Sequence, residues 1–274
     1  MRVFFMGGAG NEFFQVARAL CLKKLGFQVV LVDLQEFKKP LYKLLGNTYH
    51  APWIATKDVA NHLGLQVEKP TLLDYLLLTI MYFLRKLGCS HGFDRPLFTT
   101  DGRPIHQKLL LKLDVGYFQS KVHVNLKSIS EVSAALIHVL SITSGEGENN
   151  IVVHVRGGDV IAENRISEAD VKGLLSFCKD TNTLMSCITN DPEYAKSKFQ
   201  DLGYDFLSKG NARDHFIQLA SSKKMYVSNS TFAFWALVCA NQFSKASAFG
   251  PNNWEFDEFI EIKNICGSEK VEEY

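Results

Sequence analysis

The hexapeptide His154-Val155-Arg156-Gly157-Gly158-Asp159 follows the apolar run Ile151-Val152-Val153. An imidazole, a guanidinium and a carboxylate therefore meet at the carboxyl end of an expected β-strand. In an open α/β sheet that edge faces the ligand crevice. A guanidinium there can hold two phosphate oxygens at once, in a fork geometry that an ammonium cannot copy. The glycines behind Arg156 let backbone come close to a bound group, because no Cβ stands in the way. Taken alone, the hexapeptide is equally a strand-end turn with a surface ion pair; two other segments add weight to the first reading.

One is Gly7-Gly8-Ala9-Gly10-Asn11, where backbone amides and a helix amino terminus converge on one spot, an arrangement that favours anions. Its rival reading is a dinucleotide fingerprint with Asp33 on a ribose, but the frame Gly8-Ala9-Gly10 then needs a glycine near position 13, where Phe13 stands. The other is Ser228-Asn-Ser-Thr-Phe-Ala-Phe-Trp235, a strand end passing into a helix start rich in hydroxyls. Ser230 and Thr231 can donate from side chain and backbone to a phosphate at that terminus. Phe234 and Trp235, taken singly, read as core aromatics.

Alternating strand and helix signals must position these segments. Val3 to Met6 is an expected strand, Asn11 an expected cap for a helix with the apolar face Phe13, Phe14, Ala17, Leu20, Cys21 and Leu25, and Gln28 to Val32 a second strand. Residues 40 to 112 look largely helical, with Leu72 to Leu84 expected as a buried helix. Asp114 to Gln119 resembles a short strand or turn, and Ser128 to Leu140 a helix. The polar stretch 144–150 is the expected boundary between an α/β domain over 1–145 and a second over 150–274. In the latter we expect strands at 151–155, 183–188 and Met225 to Ser228, and helices at 167–179, from Pro192, at Asp214 to Ser221 and at Ser230 to Ala240.

The 274 residues carry 46% hydrophobic and 22% charged side chains, ordinary values for a globular protein. Thirty basic residues against twenty-nine acidic ones leave a net charge of +1, which speaks against nucleic-acid binding through a broad basic surface. The six cysteines form no CxxC pair and read as reduced thiols, and the eight histidines form no HExxH, so no zinc site is expected. Asp-x-Asp, the simplest carboxylate clamp for a metal–diphosphate complex, is absent too. No secretion signal or membrane span is expected; the apolar stretch before Arg85 and Lys86 leaves room for a peripheral membrane contact.

In order and spacing, six segments together resemble the bacterial α-1,2-fucosyltransferase family, glycosyltransferase family 11. Gly7-Gly-Ala-Gly-Asn-Glu-Phe-Phe-Gln15 is similar to that family's GGLGNQLFQ, and Gly116-Tyr-Phe-Gln-Ser120 to its GYFQS-type segment. His154 to Asp159 resembles HxRRGD, Asn190-Asp-Pro-Glu193 the DDPE turn, Ser228 to Trp235 SNSTFSWW, and Gly250-Pro-Asn-Asn-Trp254 the closing P-x-x-W element. Gly157 replaces the second arginine, Glu12 a glutamine and Phe234 the first tryptophan.

The resemblance implies a GT-B-like fold of two facing Rossmann-type domains, with the acceptor on the first and a GDP-sugar on the second. It implies inverting, metal-independent transfer of L-fucose from GDP-β-L-fucose to the 2-hydroxyl of a galactoside-type acceptor. That acceptor would be a surface oligosaccharide or lipid-linked glycan, handled in the cytoplasm or at the inner membrane. Arg156 would neutralise the departing GDP, helped by Ser228, Ser230, Thr231 and Phe232, while Gly8, Gly10 and Asn11 reach the diphosphate or sugar. His154 and Asp214 are candidates for guanine or ribose contacts, and Asp159 for orienting its loop. Glu12, Asp33, Glu36, Asp94 and Asp101 are candidate bases for the acceptor hydroxyl, with Glu12 favoured as a hydrogen-bonding residue. Another GDP-deoxyhexose such as GDP-colitose, a nicotinamide-dependent sugar-nucleotide enzyme and a non-catalytic sugar-nucleotide binder are the alternatives.

Overall fold

The computed structural model describes residues 1–5, 7–34, 55–86, 113–114, 118–121, 123–143, 151–157, 173–174, 176–177, 185–199, 204–206, 211–243, 246–251, 254–260 and 263–264. The chain divides into two compact units, Met1–Ala135 and Leu136–Tyr274, each built on a parallel sheet with helical connections. This is the α/β class expected from the alternating elements.

In the first unit, β1 (Arg2–Phe4), β2 (Val30–Val32), β3 (Gln66–Glu68) and β4 (Leu113–Asp114) lie in the order β3-β2-β1-β4. All three pairings are parallel. Val3, Phe4 and Phe5 are fully buried, as a short apolar run at a sheet centre requires. The connection from β1 to β2 is α1 (Ala9–Lys24), which starts earlier than expected: Gly8 is the N-cap and Asn11 lies inside the first turn. At the other end Gly26 takes φ +87°, and the amides of Gly26 and Phe27 return to the carbonyls of Lys23 and Leu22. That is a Schellman stop, in which a left-handed residue lets two terminal carbonyls find donors. Leu25 is the C-cap and stays exposed, outside the apolar face assigned to it.

α1 is buried on its polar side as well, where Glu12, Gln15 and Arg18 recur every three residues at 0–1% exposure. Arg18 donates from Nε to Asp114 Oδ2 at 2.7 Å and from Nη1 to the His123 carbonyl, with its guanidinium 5.3 Å from the centre of the Phe118 ring. The helix thereby ties β4 and the segment after it to the sheet.

α2 (Ala55–His62) precedes β3, and α3 (Leu72–Lys86) follows it. Thr71 and Asp74 satisfy each other's backbone amides at the start of α3, a reciprocal capping box, and Arg2 grips Asp74 and Glu68 together. The buried helix expected at Leu72 to Leu84 needs correction. Tyr75, Leu77 and Leu78 pack on Phe4, Val32 and Leu34, but Leu72 is 87% exposed and Leu73, Leu76 and Ile80 are exposed too. The apolar run is continuous in sequence, yet one flank of a surface helix suffices to cover the sheet. Among the described residues no helix is long and apolar enough to cross a membrane. α4 (Leu126–Leu140) begins two residues before its expected start, with Asn125 Oδ1 accepting from the Ser128 amide.

Among the described residues the second unit has six parallel strands: β5 (Ile151–Val155), β6 (Met185–Thr189), β7 (Tyr204–Phe206), β8 (Lys224–Tyr226), β9 (Ser247–Gly250) and β10 (Lys263–Asn264). Their order is β10-β9-β8-β5-β6-β7. Counted from β5 as the first strand, this is the 3-2-1-4-5-6 order of a doubly wound dinucleotide-type sheet. The order reverses between β5 and β8. Between strands run α5 (Pro192–Phe199), α6 (Ala212–Ala220) and α7 (Thr231–Phe243). Val153, Val155, Met185, Cys187 and Tyr226 make the core on one side with Leu174 and Phe177. Of the helix expected at 167–179, positions 173–174 and 176–177 are helical and the others fall outside the described residues.

Candidate functional site

The carboxyl ends of β5 and β8 flank the point where strand order reverses, the place at which open α/β sheets bind ligands. Arg156 is the first residue beyond β5, and Ser228 follows β8 by one intervening residue, Val227. A hydrogen bond of 2.7 Å joins His154 Nδ1 to Ser228 Oγ and pins the two strand ends together. The His154 ring stacks on Phe232, with centroids 5.8 Å apart, and Phe232 meets the edge of Phe216. His154 is thus committed at Nδ1, and a nucleotide contact would have to use its other nitrogen.

Burial, then the nearby Arg156 and His215 charges, press the His154 pKa down to about 3 from its ordinary 6.5, so the ring is neutral near pH 7. Below pH 6.5 the unfolded chain accepts a proton that the folded chain refuses until about pH 3. Stability contributed by this group is therefore complete above 6.5 and lost as the pH falls through that window. We expect urea midpoints to drop between pH 7 and pH 5, and the drop to shrink in His154→Gln. Equal slopes in the two proteins would contradict this assignment.

Ser230 precedes the first residue of α7, and its carbonyl accepts from the Phe234 amide at 2.9 Å. The first amides of α7 are thereby aimed along the helix axis toward the end of β8, where an anion is favoured. Ser230 is buried, while Ser228, Thr231, Phe232 and Arg156 are half-buried. Asn229 steadies this loop by accepting from the Glu255 amide at 3.0 Å. Phe234 and Trp235 are fully buried, and Phe234 packs against Phe256, which in turn meets Trp254. They are core aromatics.

Gly157 is explained by its neighbour. A Cβ built there overlaps the Cβ of Asp191 and sits 3.3 Å from Asp191 Cγ and Oδ2. Asp191 cannot move aside cheaply, because its Oδ1 caps α5 through the Tyr194 amide and its own amide donates to Thr189 Oγ1. Asp159 falls outside the described residues.

The first unit has a parallel arrangement at its own sheet edge. Gly7 adopts φ +78°, which only glycine enters without strain, and Gly8 accepts from the amides of Asn11 and Glu12. Gly10 is already in the helix. Asn11, beyond β1, accepts from Gln119 Nε2 at 2.7 Å, and Gln119 lies beyond β4, so a hydrogen bond again spans neighbouring strand ends. The adjacent Phe118 has φ 56°, a strained conformation for a large side chain, and is fully buried.

Glu12 is 1% exposed and accepts from Thr56 Oγ1 at 2.9 Å. Asp33 forms an ion pair with Lys57 at 2.6 Å. Glu36, Asp94 and Asp101 fall outside the described residues. Asp214 is exposed in the first turn of α6, with its amide held by the N-cap Asn211; the neighbouring His215 is the residue whose charge reaches His154. Sequence reasoning missed His215, Gln119 and the Asn190 side chain. Gln119 stands five residues past β4 and Asn190 one residue past β6, positions that would have marked them once the strands were paired. Among the described residues no group of three or more His, Cys, Asp or Glu side chains is placed to hold a metal ion.

The fold defines a parallel α/β protein whose second sheet reverses its strand order between β5 and β8. No family model matches the chain, and no curated protein matches it. Among solved structures it is similar to POFUT1 in complex with GDP-fucose, with a TM-score of 0.41 and 13% identity over 91% of this chain and 97% of that one. POFUT1 in complex with GDP gives a TM-score of 0.38 and 10% identity, over 90% of this chain and 97% of the other. These are loose overlays of the chain path; the functional reading rests on this chain's own residues.

Proposed function

We propose that the chain is an inverting, metal-independent glycosyltransferase of GT-B type that moves L-fucose from GDP-β-L-fucose to the 2-hydroxyl of a galactoside-type acceptor. The observation that carries this reading is Arg156 at the end of β5, at the switch point of a 3-2-1-4-5-6 sheet whose neighbouring strand β8 leads into α7. The six-segment resemblance supplies the donor and the linkage.

In this reading the diphosphate lies against Arg156, the hydroxyls of Ser230 and Thr231, and the first amides of α7. As the glycosidic bond breaks, negative charge grows on the GDP oxygen, and donors already fixed in place stabilise it without reorganisation. His154 and Ser228 hold the crevice open at a set width. The first unit, with Asn11 and Gln119 at its sheet edge, is assigned the acceptor. Glu12 and Asp33 are not assigned as base, since each is buried in a bond of its own. The Lys57–Asp33 pair and Phe13 also disfavour the nicotinamide alternative, which needs the Asp33 carboxylate for a ribose.

Thermal-shift titration separates these two readings. Ligand at a hundred times its Kd stabilises the native state by about 2.7 kcal/mol. GDP is expected to raise the melting temperature by several degrees and NAD to leave it unchanged; the reverse pattern would overturn the proposal. A panel of GDP-sugars with galactoside acceptors, run in EDTA and read by NMR, then fixes donor and linkage. Loss of transfer in EDTA that manganese restores would contradict the metal-free scheme.

A further inference from the structure

We infer that Asn190 is a positioning residue that sets the backbone direction of Arg156. The inference deepens the reading of Arg156 given above and rests on it. The parallel ladder between β5 and β6 ends at the pair Val155 and Thr189. The next rung would set Arg156 beside Asn190, but there the side chain of Asn190 takes over from the strand. Its Oδ1 accepts from the Gly157 amide at 2.7 Å, and its Nδ2 donates to the Gly157 carbonyl at 3.2 Å.

Both faces of one residue are gripped by one carboxamide, so the peptide plane immediately after Arg156 is fixed. Without that grip the arginine would lead into two consecutive glycines, the freest backbone a chain can have. The gripping side chain is itself held. Thr189 and Asp191 are joined by a hydrogen bond, Asp191 caps α5, and Asp191 packs on the Cα of Gly157. Asparagine is suited to the task because its acceptor and donor sit on one short, planar group. Aspartate supplies no donor, and serine cannot reach both atoms.

Misplacement of a binding group by about an ångström can cost on the order of a hundredfold in rate. We expect Asn190→Ala to weaken GDP binding and slow transfer roughly tenfold to a hundredfold, with Asn190→Asp in between. The deciding experiment is a double-mutant cycle with Arg156→Ala, measuring GDP affinity by calorimetry up to millimolar nucleotide. A residue acting through Arg156 has no further effect once that side chain is gone. The expected result is a loss in the Arg156 background and none in the Arg156→Ala background.

Equal losses in both backgrounds, or none in either, would overturn the inference. A purely structural role lowers the melting temperature but gives additive binding losses, so the cycle tells the two apart. If Asn190→Ala does not fold, Asn190→Asp carries the same cycle. Wild-type protein that binds no GDP would overturn the functional reading and this inference with it, whereas additive losses in a GDP-binding protein remove only Asn190.

Discussion

Arg156→Ala is expected to abolish sugar transfer while leaving the circular dichroism spectrum unchanged. The side chain is half-buried just beyond β5, and main-chain pairing to β6 and β8 holds the strand on both sides, so the sheet is expected to form in the variant. What is lost is a charge-assisted contact to the leaving group. Removing one preorganised donor of this kind costs about 10²–10³ in kcat, and a hydrogen bond to a charged group contributes about 1.5–3 kcal/mol to binding. Both kcat and GDP affinity should therefore fall. Arg156→Lys should restore little, because an ammonium cannot present two parallel donors. Turnover near that of the unaltered protein in Arg156→Ala would remove the central role assigned to this residue.

Asp114→Asn is expected to produce the largest loss of stability. Asp114 is fully buried and Arg18 is 1% exposed, with 2.7 Å between Nε and Oδ2. Neutralising the carboxylate leaves a guanidinium away from water without its counter-ion, facing an amide oxygen, the His123 carbonyl and the Phe118 ring among the described residues. Breaking a buried pair on one side costs about 3–5 kcal/mol, whereas replacing both partners by apolar groups is often neutral. Calorimetry should show a melting temperature lower by on the order of 10 °C for Asp114→Asn. The double variant Arg18→Met, Asp114→Leu should recover much of it. An unchanged melting temperature in the single variant would mean that the pair is not isolated from water.

Strands β1 and β5 were readable because each carries a short apolar run, Val3-Phe4-Phe5 and Ile151-Val152-Val153, as a centrally placed parallel strand does. Pro192 was found at the start of its helix for the reason it stands there, a fixed φ and no amide to lose. Strands β3, β7, β9 and β10 escaped notice. They are two to four residues long, and Gln66-Val67-Glu68 at a sheet edge carries polar ends that mimic a loop. The exposed flank of α3 escaped too, since a run of leucines records hydrophobicity but not how much sheet lies beneath it.

Residue types marked Arg156, Ser230 and Thr231 as candidates, and they lie just past β5 and at the start of α7. The bonds that hold them did not show, because their partners are remote in sequence. His154 meets Ser228 74 residues later, Gly157 meets Asn190 33 residues later, and Arg18 meets Asp114 96 residues later. Such pairs become legible only when strand order is known.

The wedge of Asp191 against Gly157 restricts which sequences this turn can accept. Positions 157 and 191 compete for one volume, so a side chain can be gained at the first only with a backbone shift or a smaller residue at the second. A chain that carries a side chain at the first position and keeps aspartate at the second must therefore open this turn by a backbone shift.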